Sequence, residues 1–157
     1  MYFEDFTVGD TFVTASVEVT AEGIVEYARR YDPQPFHLDP VAAEASIYRG
    51  LIASGFHIFS MAFGEVARTG IFEGGGQGSP GIFEVRWVSP ARPGDKLHTD
   101  ITVLEKRLSR TRPDRGYVTM RFDTRNQRQE LVATYSSNQI MLLRTPGQGT
   151  CQAARLR

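Results

Sequence analysis

The run from Leu51 to Arg68 constrains the fold of this chain more than any other. Ile52, Phe56, Phe59 and Phe63 recur at helical spacing, small residues (Ala53, Ser54, Gly55, Ser60, Ala62, Gly64) lie among them, and no charge appears before Glu65. A helix this apolar must be covered, and its mixture of large and small side chains lets another layer approach closely. The covering layer follows in the sequence. Four strand-like runs, Ile82 to Val88, Leu97 to Glu105, Tyr117 to Thr124 and Leu131 to Leu143, are separated by turn segments at 89–95, 110–116 and 126–130. In the third run Val118, Met120 and Phe122 share one face and Thr119, Arg121 and Asp123 the other, the pattern of an antiparallel sheet with one covered side. Thr11 to Val19 also alternates, and predicts an earlier strand with Val13, Ala15, Val17 and Val19 on one face. One strand, then helices, then a four-strand meander predicts an α+β fold with the sheet packed on the Leu51 helix.

A chain of 157 residues supports one domain with a real core, expected over 1–144. The stretch 145–157, with Pro146, Gly147 and Gly149, has no apolar periodicity and is expected to be a disordered tail. Eighteen acidic and eighteen basic residues argue against a dedicated nucleic-acid binder. The single cysteine, Cys151, can form no intramolecular disulfide, and the start of the chain lacks the basic and apolar regions of a signal peptide, so a reducing cytoplasm is expected. No apolar run approaches the roughly 20 residues that cross a bilayer. Three dispersed histidines offer no metal-ligand spacing, and no metal is expected. The glycine-rich stretch Gly74 to Gly81 lacks the Lys-Ser/Thr of a phosphate-binding loop, and reads as the lip of a substrate tunnel.

Chemistry concentrates between Tyr31 and Pro40. Thr20 caps a first helix over Ala21 to Arg30, and Pro33 and Pro35 push Asp32 and Gln34 out of the helical region, so this helix must end in extended backbone. Asp39 then reads as an N-cap with Pro40 in the first helical position. A stiff connector between two helices can aim Asp32 and His37 into one cleft. Taken singly, an Asp before a proline is a turn former and a loop histidine is a solvated one; the pair in this setting is acid–base equipment.

The segment Asp32-Pro33-Gln34-Pro35-Phe36-His37 resembles the D-x-N-P-x-H motif of the MaoC-like dehydratases and (R)-specific enoyl-CoA hydratases, and Ser46 to Gly55 resembles that family's entry into its central helix. The likeness covers roughly 5–143, with Gln34 in place of the usual Asn. It lacks a match for the serine some hydratases carry two helical turns beyond their glycine, the nearest positions being His57 or Ile58. The resemblance implies a hot-dog fold, an antiparallel sheet wrapped around a long central helix, assembled as a homodimer or a higher oligomer of dimers. It implies a hydro-lyase converting 2-enoyl-CoA to (R)-3-hydroxyacyl-CoA or the reverse, with coenzyme A or an acyl-carrier thioester as part of the substrate and no further cofactor. Asp32 and His37 would be the acid–base pair. Gly50, which on its residue type alone reads as a turn glycine, is matched to the family's glycine and would donate its N–H to the thioester oxygen.

Gln34, Phe36, Phe56 and His57 are the remaining pocket candidates, with His57 otherwise a hydrogen-bonded core residue. Arg86, like the basic hairpin Lys106, Arg107, Arg110, Arg112 and Arg115, is a candidate for coenzyme A phosphates, against the alternative of solvated surface charge. His98 reads as a surface residue. Two other function classes fit the same scaffold: a hot-dog acyl-CoA thioesterase, against which the Asp32/His37 pair argues, and a non-catalytic acyl-thioester-binding subunit.

Overall fold

The computed structural model describes residues 1–145; the expected tail therefore lies, past its first residue, outside the described residues. A 3₁₀ turn (Phe3–Asp5) leads into β1 (Thr11–Val13) and β2 (Val17–Glu18), followed by α1 (Ala21–Tyr31), α2 (Pro35–Leu38), α3 (Pro40–Ala45) and α4 (Gly55–Arg68). The rest is sheet: β3 (Ile82–Trp87), β4 (Lys96–Leu108), β5 (Arg115–Arg125) and β6 (Leu131–Leu142). The strands run in the order β1-β4-β5-β6-β3, all neighbours antiparallel, with β2 also on β4.

The sheet wraps α4. Phe59 and Val66 of the helix pack into a core with Ile101 and Val103 of β4, Val118, Met120 and Phe122 of β5 and Tyr135 of β6. A second core, nearer the helix start, joins Ile58 to Ile24 of α1, Leu97, Val132 and Ala133. The alternation expected in β5 is present, since Val118, Met120 and Phe122 are buried while Arg121 on the opposite face is exposed.

Three expectations need correcting. The predicted strand from Thr11 to Val19 is two short strands, because Thr14 keeps only half of its ladder pair: its N–H still donates to the Thr99 carbonyl at 3.1 Å, but its hydroxyl accepts the Thr99 N–H at 2.9 Å where a strand would offer a carbonyl. The interruption flips the facing, with Thr14 buried and Val13 64% exposed before it, and Val19 buried after it. The last four strands are not a simple meander, since β3 pairs with β6 rather than β4. The proline-bearing segment Val88–Asp95 carries the chain across the end of the sheet, a span of about 14 Å for three strand spacings.

The third correction matters most for function. The central helix begins at Gly55, not Leu51, because the backbone of the preceding residues is committed elsewhere: Ala53 N–H donates to the Ala91 carbonyl at 2.9 Å, and the Ile52 carbonyl accepts from the His37 ring at 2.8 Å.

Candidate active site

Local sequence rules place the two chemical side chains. Thr20 caps α1 through the Gly23 N–H at 3.0 Å, and the helix closes on Asp32, whose φ of −153° and ψ of 68° are the non-helical values that a following proline enforces. Gln34 is extended, but Pro35 then opens a one-turn helix rather than continuing the expected extended run. That turn swings His37 back toward Asp32. Asp39 ends α2 and caps α3 by accepting the Val41 N–H at 2.8 Å, with Pro40 in the first helical position.

His37 is 4% exposed, and its Nε2 lies 3.4 Å from Asp32 Oδ2. Its Nδ1 faces the Ile52 carbonyl at 2.8 Å. A carbonyl only accepts, so Nδ1 carries the hydrogen, and in the neutral ring Nε2 presents a lone pair to Asp32. Phe36 packs edge-on against the imidazole, ring centroids 4.5 Å apart, and Tyr48 lies against Phe36 at 5.2 Å, which fixes the ring plane.

Burial pushes the Asp32 carboxyl up, but the Ser54 hydroxyl, the Gln34 amide and the His37 ring together hold it below the usual carboxylate value. The Gln34 Nε2 donates to Asp32 Oδ1 at 2.7 Å. Ser54 is buried at the start of α4 and lies close enough to lower the carboxyl, yet its Oγ completes no hydrogen bond of ordinary geometry.

Asp32 and His37 open onto a cleft of about 410 Å³, shared with Gln34, Phe36, Tyr48, Ile52, Ala53, Gly55, Phe56, Trp87 and the Val88–Pro90 segment. Four of the expected site residues thus stand together with a fifth, Phe56, at the mouth. Three do not. Gly50 lies ahead of the helix instead of in its first turn, and its N–H donates to the Ala43 carbonyl at 3.1 Å, so the donor expected there is already used. Its φ of 141° is the positive-φ turn role that its residue type alone suggested. Arg86 is exposed on β3 and outside the cleft lining. His57 is buried behind the cleft, stacked on Tyr27 at 4.6 Å with the planes 11° apart; burial, and secondly the charge of His37, hold it below its ordinary value.

Among the cleft residues that escaped the sequence reading, Gly55 and Trp87 matter most. Gly55 opens α4; the first intrahelical bond runs from Ile58 N–H to the Ser54 carbonyl, so the amides of Gly55, Phe56 and His57 have no partner within the helix. Ser54, the only capping-type residue between Gly50 and Phe56, was the available signal. Trp87, at the end of β3, lies over Gly55: a Cβ built on that glycine would meet the indole Nε1 at 2.3 Å. Nothing in its local pattern distinguishes it from a core aromatic.

The basic hairpin joining β4 to β5 stands away from this cleft. Trp87 pairs with Ala133 near the start of β6 and Arg115 with Leu142 at its end, a separation of roughly 25–30 Å along the strand. Among the described residues, no group of three His, Cys, Asp or Glu side chains could hold a metal ion, and no helix is long and apolar enough to cross a membrane.

Comparison with known proteins agrees with the arrangement of motif, helix and sheet. The chain is 29% identical to YdeM of Bacillus subtilis (strain 168) over 132 residues, which cover 84% of this chain and 92% of that protein. The crystal structure of a MaoC-like dehydratase from Rhodospirillum rubrum superposes with a TM-score of 0.87 at 40% identity, covering 92% of this chain and 99% of that one. The R-hydratase PhaJ1 of Pseudomonas aeruginosa, at 22% identity, shares the fold, with a TM-score of 0.68 over 90% of this chain and 85% of its own. The α+β architecture is thus a hot-dog fold. Residues 5–125 match the family model described as MaoC like domain, and the chain belongs to the MaoC-like dehydratase family.

Proposed function

We propose that this protein is a hydro-lyase that adds water across the double bond of a 2-enoyl thioester to give the (R)-3-hydroxyacyl thioester, or runs the reverse dehydration. One observation carries the reading. Asp32 Oδ2 and the His37 Nε2 lone pair face each other at 3.4 Å with the imidazole hydrogen tied to Ile52 on the far side. Two acceptors so placed have no hydrogen to exchange directly, whereas one water molecule can donate a hydrogen to each. A water held that way directs its oxygen lone pairs into the cleft, toward C3 of a bound enoyl group.

In the hydration, the oxygen of that water bonds to C3 while one member of the pair takes its proton. The C2–C3 π electrons move through C2 to the thioester oxygen, and collapse of this enolate takes a proton at C2 from the pair. Because the same pair serves both steps from one side of the alkene, hydroxyl and hydrogen add to the same face. The enolate oxygen needs a donor, and we assign it to the Gly55 N–H, which lies in the cleft, at the positive end of the 14-residue helix α4 and without an intrahelical partner. Gln34 holds Asp32 oriented through its 2.7 Å bond, and the low carboxyl value keeps Asp32 ionised as an acceptor throughout the neutral range.

The homodimer belongs to the same proposal. β3 is an edge strand with Ile82 at 55%, Phe83 at 39% and Trp87 at 48% exposure, apolar surface of the kind a second subunit covers. Coenzyme A or a carrier protein would supply the thioester.

The test follows the ultraviolet absorbance of crotonyl-CoA with wild-type protein and His37→Gln side by side, with products assayed for free thiol and chirality. Loss of the conjugated chromophore without thiol release, dependent on His37 and yielding the (R)-alcohol, is expected. Thiol release would move the protein to the thioesterases, and the (S)-alcohol would show that water reaches the opposite face of the enoyl group and refute the (R)-specific reading.

A further inference from the structure

We propose that Trp87 is the end wall of the acyl subsite and restricts this chain to short, four-carbon enoyl groups, an inference that rests on the thioester reading of the cleft. The indole lies against the first turn of α4, so close to Gly55 that a Cβ there would strike it, and it therefore flanks the place in front of the Gly55 amide that a thioester carbonyl would take. An acyl chain leaving that carbonyl along the helix meets the ring almost at once.

The ring does not stand alone. It touches Phe59 at 5.4 Å between centroids, and Phe59 touches Tyr135 at 5.1 Å. Beyond Phe59 lies a second cavity of about 330 Å³ between α4 and β6, lined by Phe59, Phe63, Ile82, Tyr135, Ser137 and Gln139 among others. One helical turn is about 5.4 Å, so a chain of six to eight carbons would enter this cavity if the way were open. The Trp87–Phe59 pair stands between the two spaces.

The far cavity is mostly apolar, with Phe59, Phe63, Ile82 and Tyr135 in its wall, so it is the aromatic pair, not the far space, that stops a longer tail. Ser137 and Gln139 are buried, at 1% and 4% exposure, and the Gln139 amide donates to the Ser137 hydroxyl at 2.6 Å. A short acyl group, by contrast, ends on the aromatic faces of Trp87 and Phe56, whose rings meet edge-to-face at 5.5 Å.

Trp87 is the only tryptophan in the chain, so its emission reports on the acyl end directly. The full chain would be titrated with butyryl-, hexanoyl-, octanoyl- and decanoyl-CoA, which bind without reacting, and with free coenzyme A as the reference. Butyryl-CoA should alter the emission where coenzyme A does not, and affinity should stay flat or weaken toward octanoyl-CoA. An open apolar channel would instead tighten binding roughly fourfold per buried methylene; steady tightening through decanoyl-CoA overturns the proposal, as does butyryl-CoA binding that leaves the emission unchanged. Calorimetry on Trp87→Ala completes the test. The octanoyl-to-butyryl affinity ratio should rise at least tenfold over wild type, and an unchanged ratio overturns the assignment. Failure of every acyl-CoA to bind would sink the coenzyme A form of the thioester reading together with this proposal. A flat binding profile in a protein that leaves crotonyl-CoA unhydrated would uphold the wall and refute only the reaction.

Discussion

The two ends of β6 carry opposite kinds of polarity. At its start, beside Trp87, one carboxylate and one imidazole are held in a mostly apolar cleft, and the contact that orients the imidazole comes from fifteen residues away, at Ile52. At its far end the β4–β5 hairpin gathers many more charges, and its arginines are used locally: Arg115 donates to the adjacent Asp114 at 2.8 Å from two of its nitrogens, and the Arg107 guanidinium lies over the Tyr117 ring at 4.3 Å, while Lys106 ties the hairpin to the chain start through the Phe6 carbonyl at 2.7 Å. Charge density marks a solvated face, whereas a few polar groups confined by distant partners mark chemistry.

The largest effect expected from that contrast is loss of turnover at the confined end. Asp32→Asn and His37→Gln should each lower kcat for crotonyl-CoA hydration by roughly 10²- to 10⁴-fold while thermal melting stays close to wild type. Retention of more than about a tenth of the activity would erase the distinction between the two ends.

The two glycines sharpen it next. Gly55→Ala drives a Cβ into the Trp87 ring, at 2.3 to 2.8 Å from three of its atoms, so the indole or the start of α4 must move. A stability cost of about 1–3 kcal/mol should come with a fall in kcat, since the displaced turn carries the assigned donor. Gly50→Ala is strained by its φ of 141° and meets the Arg92 guanidinium at 3.1 Å. It should cost about 1–2 kcal/mol of stability and leave kcat unchanged. A Gly50→Ala variant that is stable but slow would restore the donor role to Gly50.

Those glycines also show what was legible beforehand. The acid–base pair could be read because proline acts on its immediate neighbours: Pro33 fixes Asp32, and Pro40 with Asp39 restarts the chain as a helix, all within hydrogen-bonding distance along the backbone. The start of α4 could not, since Leu51 to Ala53 is apolar enough to continue a helix and is held out of it by distant partners, Phe36, His37 and Ala91. The position of β3 escaped for the same reason. Its neighbour β6 is the last strand of the chain, and pairing across that interval leaves no local trace. Trp87 enters the site through that pairing, so the acyl end of the cleft was the least visible part of all.

His57 gives a smaller effect, felt in stability rather than in turnover. Its folded value is held below the ordinary 6.5, first by burial and then by the charge of His37. The unfolded chain therefore binds a proton more readily than the folded one, and the contribution of the neutral, buried ring is complete above about pH 6.5 and lost as pH falls through the folded value. Melting temperature of the wild type should decline between about pH 7 and pH 5, and His57→Leu should decline less over the same interval. Parallel profiles for the two proteins would show that His57 does not titrate with unfolding.

The smallest effect is expected at the charged end, and it is the one that tests the contrast from the other side. Arg107→Gln and Arg110→Gln remove cations from a hairpin roughly 25–30 Å along β6 from the cleft, beyond the reach of a Debye length of about 10 Å at 0.1 M salt. Within one subunit, neither guanidinium reaches the acyl carbonyl bound at Gly55. KM for crotonyl-CoA should stay within about twofold of wild type at 0.1 M salt, a change no larger than long-range screening allows, with kcat unaltered. A rise in KM that grows as salt is lowered, with kcat still unaltered, would mean that the hairpin does meet the nucleotide. Coenzyme A carries its phosphates far from the thioester, so that contact would run either along the sheet of the same subunit or from a second one, and in both cases the two ends of β6 would belong to one site.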